Sequence, residues 1–300
     1  MNYFKLVDFC KLCELKKGSD VAKLLNITPS TVSFHIQSLE KELGMQLFYR
    51  KMGNFLLTKH GETVYYYAQR IVHLQDELSY FAKANQNGTR GNFRIGVSNL
   101  ANQIFVPEII HTFSTKYPQI QLSVVANTSP EIESQLVNFQ LDYGILIGSP
   151  NKHPDLVYEK LGKDRLTLVF GPSHYFAKQE IIEKADVLNQ KILFHKKQSS
   201  TKSILEQWLQ YPMTDLNRIE LDSITTMKKV LEYGQTIAFI SEYLIRDELA
   251  SQKLIARDLL DTGLNRTIYL VRNKEHFDTT IALNFKTILQ DITQRLAFEG

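Results

Sequence analysis

Apolar and polar positions alternate along the first ninety residues with a helical period. Phe4–Leu15 carries Leu6, Phe9 and Cys13 on one stripe, and the pattern stops at Gly18. Ser19 or Asp20 is placed to cap a short second helix holding Val21, Ala22, Leu24 and Leu25. Thr28 is a good N-cap and Pro29 a good first residue for a third helix, which runs to Leu43 and ends at Gly44. Val32, Ile36, Leu39 and Leu43 form its apolar stripe. Ser30, Phe34, Gln37 and Lys41 point the other way, flanked by Thr31 and Ser33. Residues 47–58 hold two short apolar runs around Gly53-Asn54, a hairpin signal, with Arg50 and Lys51 beside the turn. From Thr58 a long helix extends to about Ala84. Its Val64, Tyr67, Ile71, Leu74, Leu78 and Phe81 alternate in steps of three and four, a heptad seam short of three full repeats.

After the polar stretch Asn85–Asn92 the period changes. Strands are expected at Phe93–Val97, Gln121–Ala126, Asp142–Ile147, Arg165–Gly171, Lys191–Phe194, Thr236–Ile240 and Arg266–Arg272. Helices are expected at Gln103–Tyr117, Pro130–Phe139, Ser203–Leu209, Thr225–Tyr233 and Thr279–Leu296. Such alternation predicts an α/β domain with parallel sheets covered on both faces.

Composition narrows the function. Among 300 residues, 43% are hydrophobic and 22% charged, which suits a folded chain. The net charge of +3 is uneven: residues 1–90 hold 12 Lys/Arg against 8 Asp/Glu. A polyanion partner is therefore expected at that end. No apolar run reaches membrane-spanning length, and Met1-Asn2-Tyr3-Phe4-Lys5 does not open a secretory signal, so a cytoplasmic location is expected. Cys10 and Cys13 spell Cys-Lys-Leu-Cys, but no second pair accompanies them, and buried structural thiols are the expectation.

The polar face of the third helix suits groove reading, since Gln can bond adenine edges and apolar groups can touch thymine methyls. The hairpin cations suit phosphate contact. Ser30, Thr31, Ser33, Phe34, Gln37, Lys41, Arg50 and Lys51 are thus the candidate DNA-binding residues. In the α/β part, ligands sit beyond the carboxyl ends of strands. Ser98-Asn99, Thr128-Ser129 and Ser199 within Gln198-Ser199-Ser200-Thr201 are candidates there, with Thr225 as a fourth contact. Each is also an ordinary helix cap. Backbone donors at helix starts favour a small, polar, anionic ligand.

The run from Val21 to Arg50, with Leu57-Thr58 and Gly61-Glu62, resembles the DNA-binding domain of LysR-type transcriptional regulators. Val32-Ser33, Ile36, Leu39-Glu40, Leu43-Gly44 and Leu47-Phe48 stand at that family's spacing, whereas Pro29-Ser30-Thr31 and Phe34-His35 depart from it. Further on, Phe93-Arg94-Ile95-Gly96, Tyr117-Pro118 and Pro172-Ser173-His174 continue the likeness more weakly. The resemblance implies an N-terminal all-α winged helix-turn-helix domain at 1–58. A dimerising linker helix and hinge would follow at 59–90, using the Val64–Phe81 seam. A two-lobed, periplasmic-binding-protein-like α/β effector domain would occupy 91–300. Its first lobe would span about 91–162 plus 267–300 and its second about 163–266.

The expected function is sequence-specific transcriptional regulation controlled by a small molecule, with double-stranded DNA, that effector and further copies of the chain (a dimer, and by family likeness a tetramer) as partners. No cofactor, metal or catalytic residue is expected. A solute-binding protein or an enzyme on the same lobes is the rival. No Gly-x-Ser-x-Gly, P-loop or His-Glu-x-x-His supports an enzyme, and the eight histidines are scattered.

Overall fold

The computed structural model describes residues 2–84, 91–148, 150–195, 200–212, 216–259 and 264–298. Two compact units emerge: residues 1–92 with 119–121 and 134–142, and the remainder.

The first unit begins with α1 (Tyr3–Leu15), α2 (Gly18–Leu25) and α3 (Pro29–Leu43), followed by β1 (Phe48–Lys51), β2 (Asn54–Leu57) and α4 (Lys59–Ala84). Asn2 caps α1, and Lys16 in the left-handed conformation closes it. The α1–α2 connection is tighter than expected. Gly18 is already helical, and Lys17, with no side-chain cap bond, holds the N-cap position instead of Ser19 or Asp20. The Lys16 reversal is the physical reason: its carbonyl accepts from Phe55 N–H at 2.9 Å, so the chain turns there. Thr28 caps α3 by accepting from Thr31 N–H, Pro29 opens the helix, and Gly44 closes it at φ +66°. Val32, Ile36 and Leu39 then bury against Phe9, Leu12 and Leu47. Phe9 and Leu39 are wholly buried, each worth about 1.5–3 kcal/mol of transfer free energy.

The hairpin turns one residue earlier than the glycine suggests. Lys51 pairs with Asn54, so Met52 and Gly53 form the turn with φ of 50° and 77°. Two central residues at positive φ match the twist of the strands, and Asn54 joins β2. Glu40 on α3 anchors this hairpin. Its carboxylate accepts from Leu47 N–H at 2.7 Å and Phe48 N–H at 3.2 Å. Thr58 does the same from the other side, donating to the Gln46 carbonyl and accepting from Gly61 N–H. Gly61 has to be glycine: a Cβ there would overlap the Leu47 carbonyl oxygen.

The second unit is built on one mixed sheet. Its elements are β3 (Gly91–Ser98), α5 (Asn99–Lys116), β4 (Ile120–Asn127), α6 (Ser129–Val137), β5 (Tyr143–Ile147) and β6 (Leu156–Phe170). Then come α7 (Lys184–Leu188), β7 (Ile192–His195), α8 (Ser200–Leu209), β8 (Arg218–Leu221), α9 (Ile224–Glu232) and β9 (Ile237–Ser241). α10 (Arg246–Ala250), β10 (Ile255–Arg257), β11 (Asn265–Asn273) and α11 (Thr280–Phe298) complete it. The strand order is β4-β3-β5-β11-β6-β9-β7-β8, with β10 beside β6.

Parallel pairing occurs within each half, β3 with β5 in one and β7 with both β8 and β9 in the other. The strands joining the halves are antiparallel, which corrects the expectation of purely parallel sheets. β6 explains this. Its first part pairs with β11 and its last five residues pair with β9, so one strand belongs to both halves. The register slips between Ile268 and Tyr269, leaving Leu161 as an extra residue on β6. One half packs Phe93, Phe113, Tyr143 and Phe285 together. The other packs Leu168, Phe170, Phe176 and Leu205.

Glu40→Ala should lower stability by about 1–3 kcal/mol, because two backbone donors lose a charged acceptor. Urea unfolding followed by circular dichroism measures this; an unchanged midpoint would mean the hairpin is held by its apolar contacts alone.

Candidate functional site

The outward face of α3 is assembled from the cap downward. Thr28 binds the hydroxyls of Ser30 and Thr31 at 2.7 and 2.8 Å, so both are ordered at the helix start. Ser30, Gln37 and Lys41 are exposed, Phe34 is 65% exposed, and Thr31 and Ser33 are half-buried. His35 turns inward, its Nδ1 lying 2.6 Å from Asp8 on α1. Lys5 of α1 pairs with Glu42 and donates to Ser38 at 2.9 Å, bracing the same helix. Arg50 and Lys51 are exposed on the hairpin, and the Arg50 guanidinium lies 4.7 Å above the Phe55 ring, which limits its reach to one side. The bracing residues Glu40, Lys5 and Asp8 were not singled out in the sequence, because their partners lie on other elements.

The seam on α4 divides. Val64 packs against the core of the first unit. Tyr67, Ile71, Leu74 and Leu78 are 56%, 40%, 54% and 61% exposed, a continuous apolar strip along the helix. The side chain of Phe81 lies outside the described residues. Four large apolar groups in a row on one helix are more than scattered surface hydrophobes.

The second unit contains a cavity of about 130 Å³ where the ends of several strands meet helix starts. Ser98, Asn99, Thr128 and Ser129 all line it, so two of the three sequence-predicted hydroxyl clusters do converge. Ser98 sits at the N-cap of α5 without a side-chain cap bond, and its buried Oγ has no partner among the described residues. Thr128 is tied to the start of α6 by Glu131, whose carboxylate accepts from the Thr128 hydroxyl at 2.5 Å and from its backbone N–H at 3.1 Å. Ser199 lies outside the described residues, though Thr201 of the same stretch lines the cavity. Thr225 faces solvent and is absent from the lining, because Ile224 and Met227 occupy the inward face of α9.

Sequence reasoning missed the other wall. Phe194, Met227 and Phe239 give it a partly aromatic, apolar surface, where only hydroxyl and amide contacts were expected. It also missed Arg266, which is 5% exposed and lines the cavity. Arg266 and Asp164 are direct partners across β11 and β6. The Arg266 Nε and Nη2 both donate to Asp164 Oδ2, Nε at 2.7 Å, and Ser241 donates to the other carboxylate oxygen. Arg266 Nη1 donates to Thr201 at 2.9 Å. Burial raises the Asp164 carboxyl from its ordinary value and lowers the Arg266 guanidinium, while each opposes the other's shift. A guanidinium does not give up its proton in a protein, and the donors from Arg266 and Ser241 favour the ionised form of Asp164.

Comparison with known proteins covers both parts of the chain. Residues 5–62 match the bacterial regulatory helix-turn-helix protein profile of the lysR family, and residues 86–294 match the LysR substrate binding domain. The chain belongs to the LysR family of transcriptional regulators: a helix-turn-helix domain followed by an effector-binding domain. A probable RuBisCO transcriptional regulator of Cyanidium caldarium is 29% identical over 285 residues, covering 93% of this chain and 90% of that protein. A full-length OxyR variant from Pseudomonas aeruginosa superposes with a TM-score of 0.76 at 16% identity, covering 98% of both chains. CbnR complexed with its target DNA superposes at 0.62 and 16% identity, over 98% of this chain and 99% of that one. The two structures share the fold. Among the described residues no helix is long and apolar enough to cross a membrane.

The thiols stand apart from this chemistry. Cys10 is 5% exposed inside the first unit's core, and burial pushes its thiol up to about 12. Cys13, half-buried, is pushed up as well, again chiefly by burial. A thiolate is the reactive form, so neither is a ready nucleophile. Ellman's reagent at pH 8 should therefore label Cys10 only as fast as the domain opens, with full labelling in denaturant. Rapid stoichiometric labelling of both thiols in the folded protein would contradict this burial.

Proposed function

We propose that α3 reads a major groove through Ser30, Thr31, Ser33, Phe34, Gln37 and Lys41, while Arg50 and Lys51 bind phosphates. The observation that carries this reading is the exposed Phe34–Gln37–Lys41 face, fixed by the Thr28 cap and braced from behind by Glu40 and Lys5. The exposed strip Tyr67, Ile71, Leu74 and Leu78, continued by Val64 and Phe81 in sequence, pairs two copies of the chain. Pairs of dimers make the tetramer that the family likeness suggests. The cavity at Ser98, Asn99, Thr128 and Ser129 takes a small anionic effector, and the protein acts without catalysis, in the cytoplasm. An effector alters DNA binding only by its differential affinity for the two arrangements of the assembly.

Two outcomes test this. Gln37→Ala should relax base preference, at a cost of about 1–3 kcal/mol on the preferred site. Arg50→Ala should weaken all sequences alike. Gel-shift titrations on specific and random duplexes separate them, and an unchanged specific-to-random ratio for Gln37→Ala would remove Gln37 from the reading set.

Ile71→Glu places an unpaired charge in the seam, where burying it is costly. Light scattering should then show the dimer lost and operator affinity reduced; wild-type mass and affinity would mean that the strip has another use.

A further inference from the structure

The two walls of the cavity differ in kind, and the difference names a ligand class. On one side stand hydroxyls, amides and the first residues of α5 and α6, represented by Ser98, Asn99 and Thr128. On the other stand Phe194, Met227 and Phe239, all nearly buried, a larger apolar surface than the His195, Thr201 and Ser241 side chains set among them. A sugar or a polyol would leave that second wall against hydroxyls, while a hydrocarbon would leave the first wall's donors unmatched.

Two groups ask for an acceptor. Ser98 Oγ is buried, with the residue 8% exposed, and has no hydrogen-bond partner among the described residues. A buried hydroxyl of this kind gains from an acceptor, which a ligand oxygen would supply. Arg266 is the second. A guanidinium carries five N–H donors. Two go to Asp164 and one to Thr201, which leaves one N–H on Nη1 and one on Nη2 without a partner among the described residues. Those donors are held still by the ion pair and suit a carboxylate. Asp164 already matches the Arg266 charge, so one further negative charge is met by donors and helix starts. A dianion would bring a second charge that, among the described lining residues, only a protonated His195 could meet.

We propose that the effector is an apolar monocarboxylate: its carboxylate is received by Arg266 and its hydrocarbon body lies on Phe194, Met227 and Phe239. Ser98 donates to an oxygen of the same molecule. Asp164 is a positioning residue, since it acts by fixing the Arg266 fork. This rests on the cavity being the effector site, and the test separates the two.

Calorimetry on the full chain with phenylacetate and 4-methylpentanoate as probes should detect binding of both. Phenylacetamide, which has the same shape without the charge, should bind at least about tenfold more weakly, the factor one charge-assisted hydrogen bond carries. Arg266→Lys keeps the charge but loses the fork, and should weaken phenylacetate by about tenfold. Ser98→Ala should also weaken it. That variant removes an unsatisfied hydroxyl, so its unfolding temperature without ligand should be no lower than wild type, which excludes misfolding as the cause. Binding of succinate or inorganic phosphate instead, lost in Ser98→Ala, would overturn the ligand class and leave the cavity as the effector site. Phenylacetate binding unaltered in both variants would overturn the class and the cavity together. No binding of either monocarboxylate would overturn the class.

Discussion

The Asp164–Arg266 ion pair is the contact on which the effector domain's geometry depends. Both residues are buried, they face each other across the two strands that join the halves of the sheet, and one of them lines the cavity. Two charges removed from water are tolerated only when the remaining lone pairs and protons are satisfied. Here Ser241 and Thr201, both from the second half, meet part of that need, and two Arg266 N–H groups stay without a partner among the described residues. The bulge at Leu161 lies three residues from Asp164, where β6 leaves the first half for the second. Backbone irregularity and buried charge thus meet at the crossover, where any change in angle between the halves would be felt. A ligand held by Arg266 would act on the same crossover strand that connects them.

The DNA end of the molecule follows a different plan. Its precision comes from short polar contacts between neighbouring elements. Thr28, Glu40 and Thr58 each satisfy backbone donors at a helix start or strand entry, and Lys5 and Asp8 tie α1 to α3. The outward face of α3 is therefore free of structural duty from Phe34 to Lys41. A face that does no packing is available for recognition, which is why its side chains read as chemistry in the sequence too.

Much of the first unit was legible because its signals are local. Thr28-Pro29 and Gly44 bound α3 as expected, and the 4-3-4 stripe of Val32, Ile36, Leu39 and Leu43 faces the core. Local signals also misled by a residue or two: Lys16 closes α1 before Gly18, and Met52 rather than Asn54 accompanies Gly53 in the turn. In the second unit, strand ends carrying hydroxyls predicted where Ser98 and Thr128 would meet. The first part of β6 went unseen because its charged residues, Glu159, Lys160 and Lys163, hide a strand whose pairing is supplied by β11. Asp164 and Arg266 are 102 positions apart, and only the register of those two strands brings them together. The apolar wall was missed for the same reason: Phe194, Met227 and Phe239 look like ordinary core residues until the sheet places them on one side of a cavity.

The most direct test of this account is a double-mutant cycle on Asp164→Ala and Arg266→Ala, read as unfolding free energy in urea on the full chain. Each single variant leaves a buried charge alone and should cost about 3–5 kcal/mol, whereas the double variant should cost less than the two single losses added together. Additive losses would mean that the two residues do not act as a pair, and that the crossover is held by its backbone ladder alone.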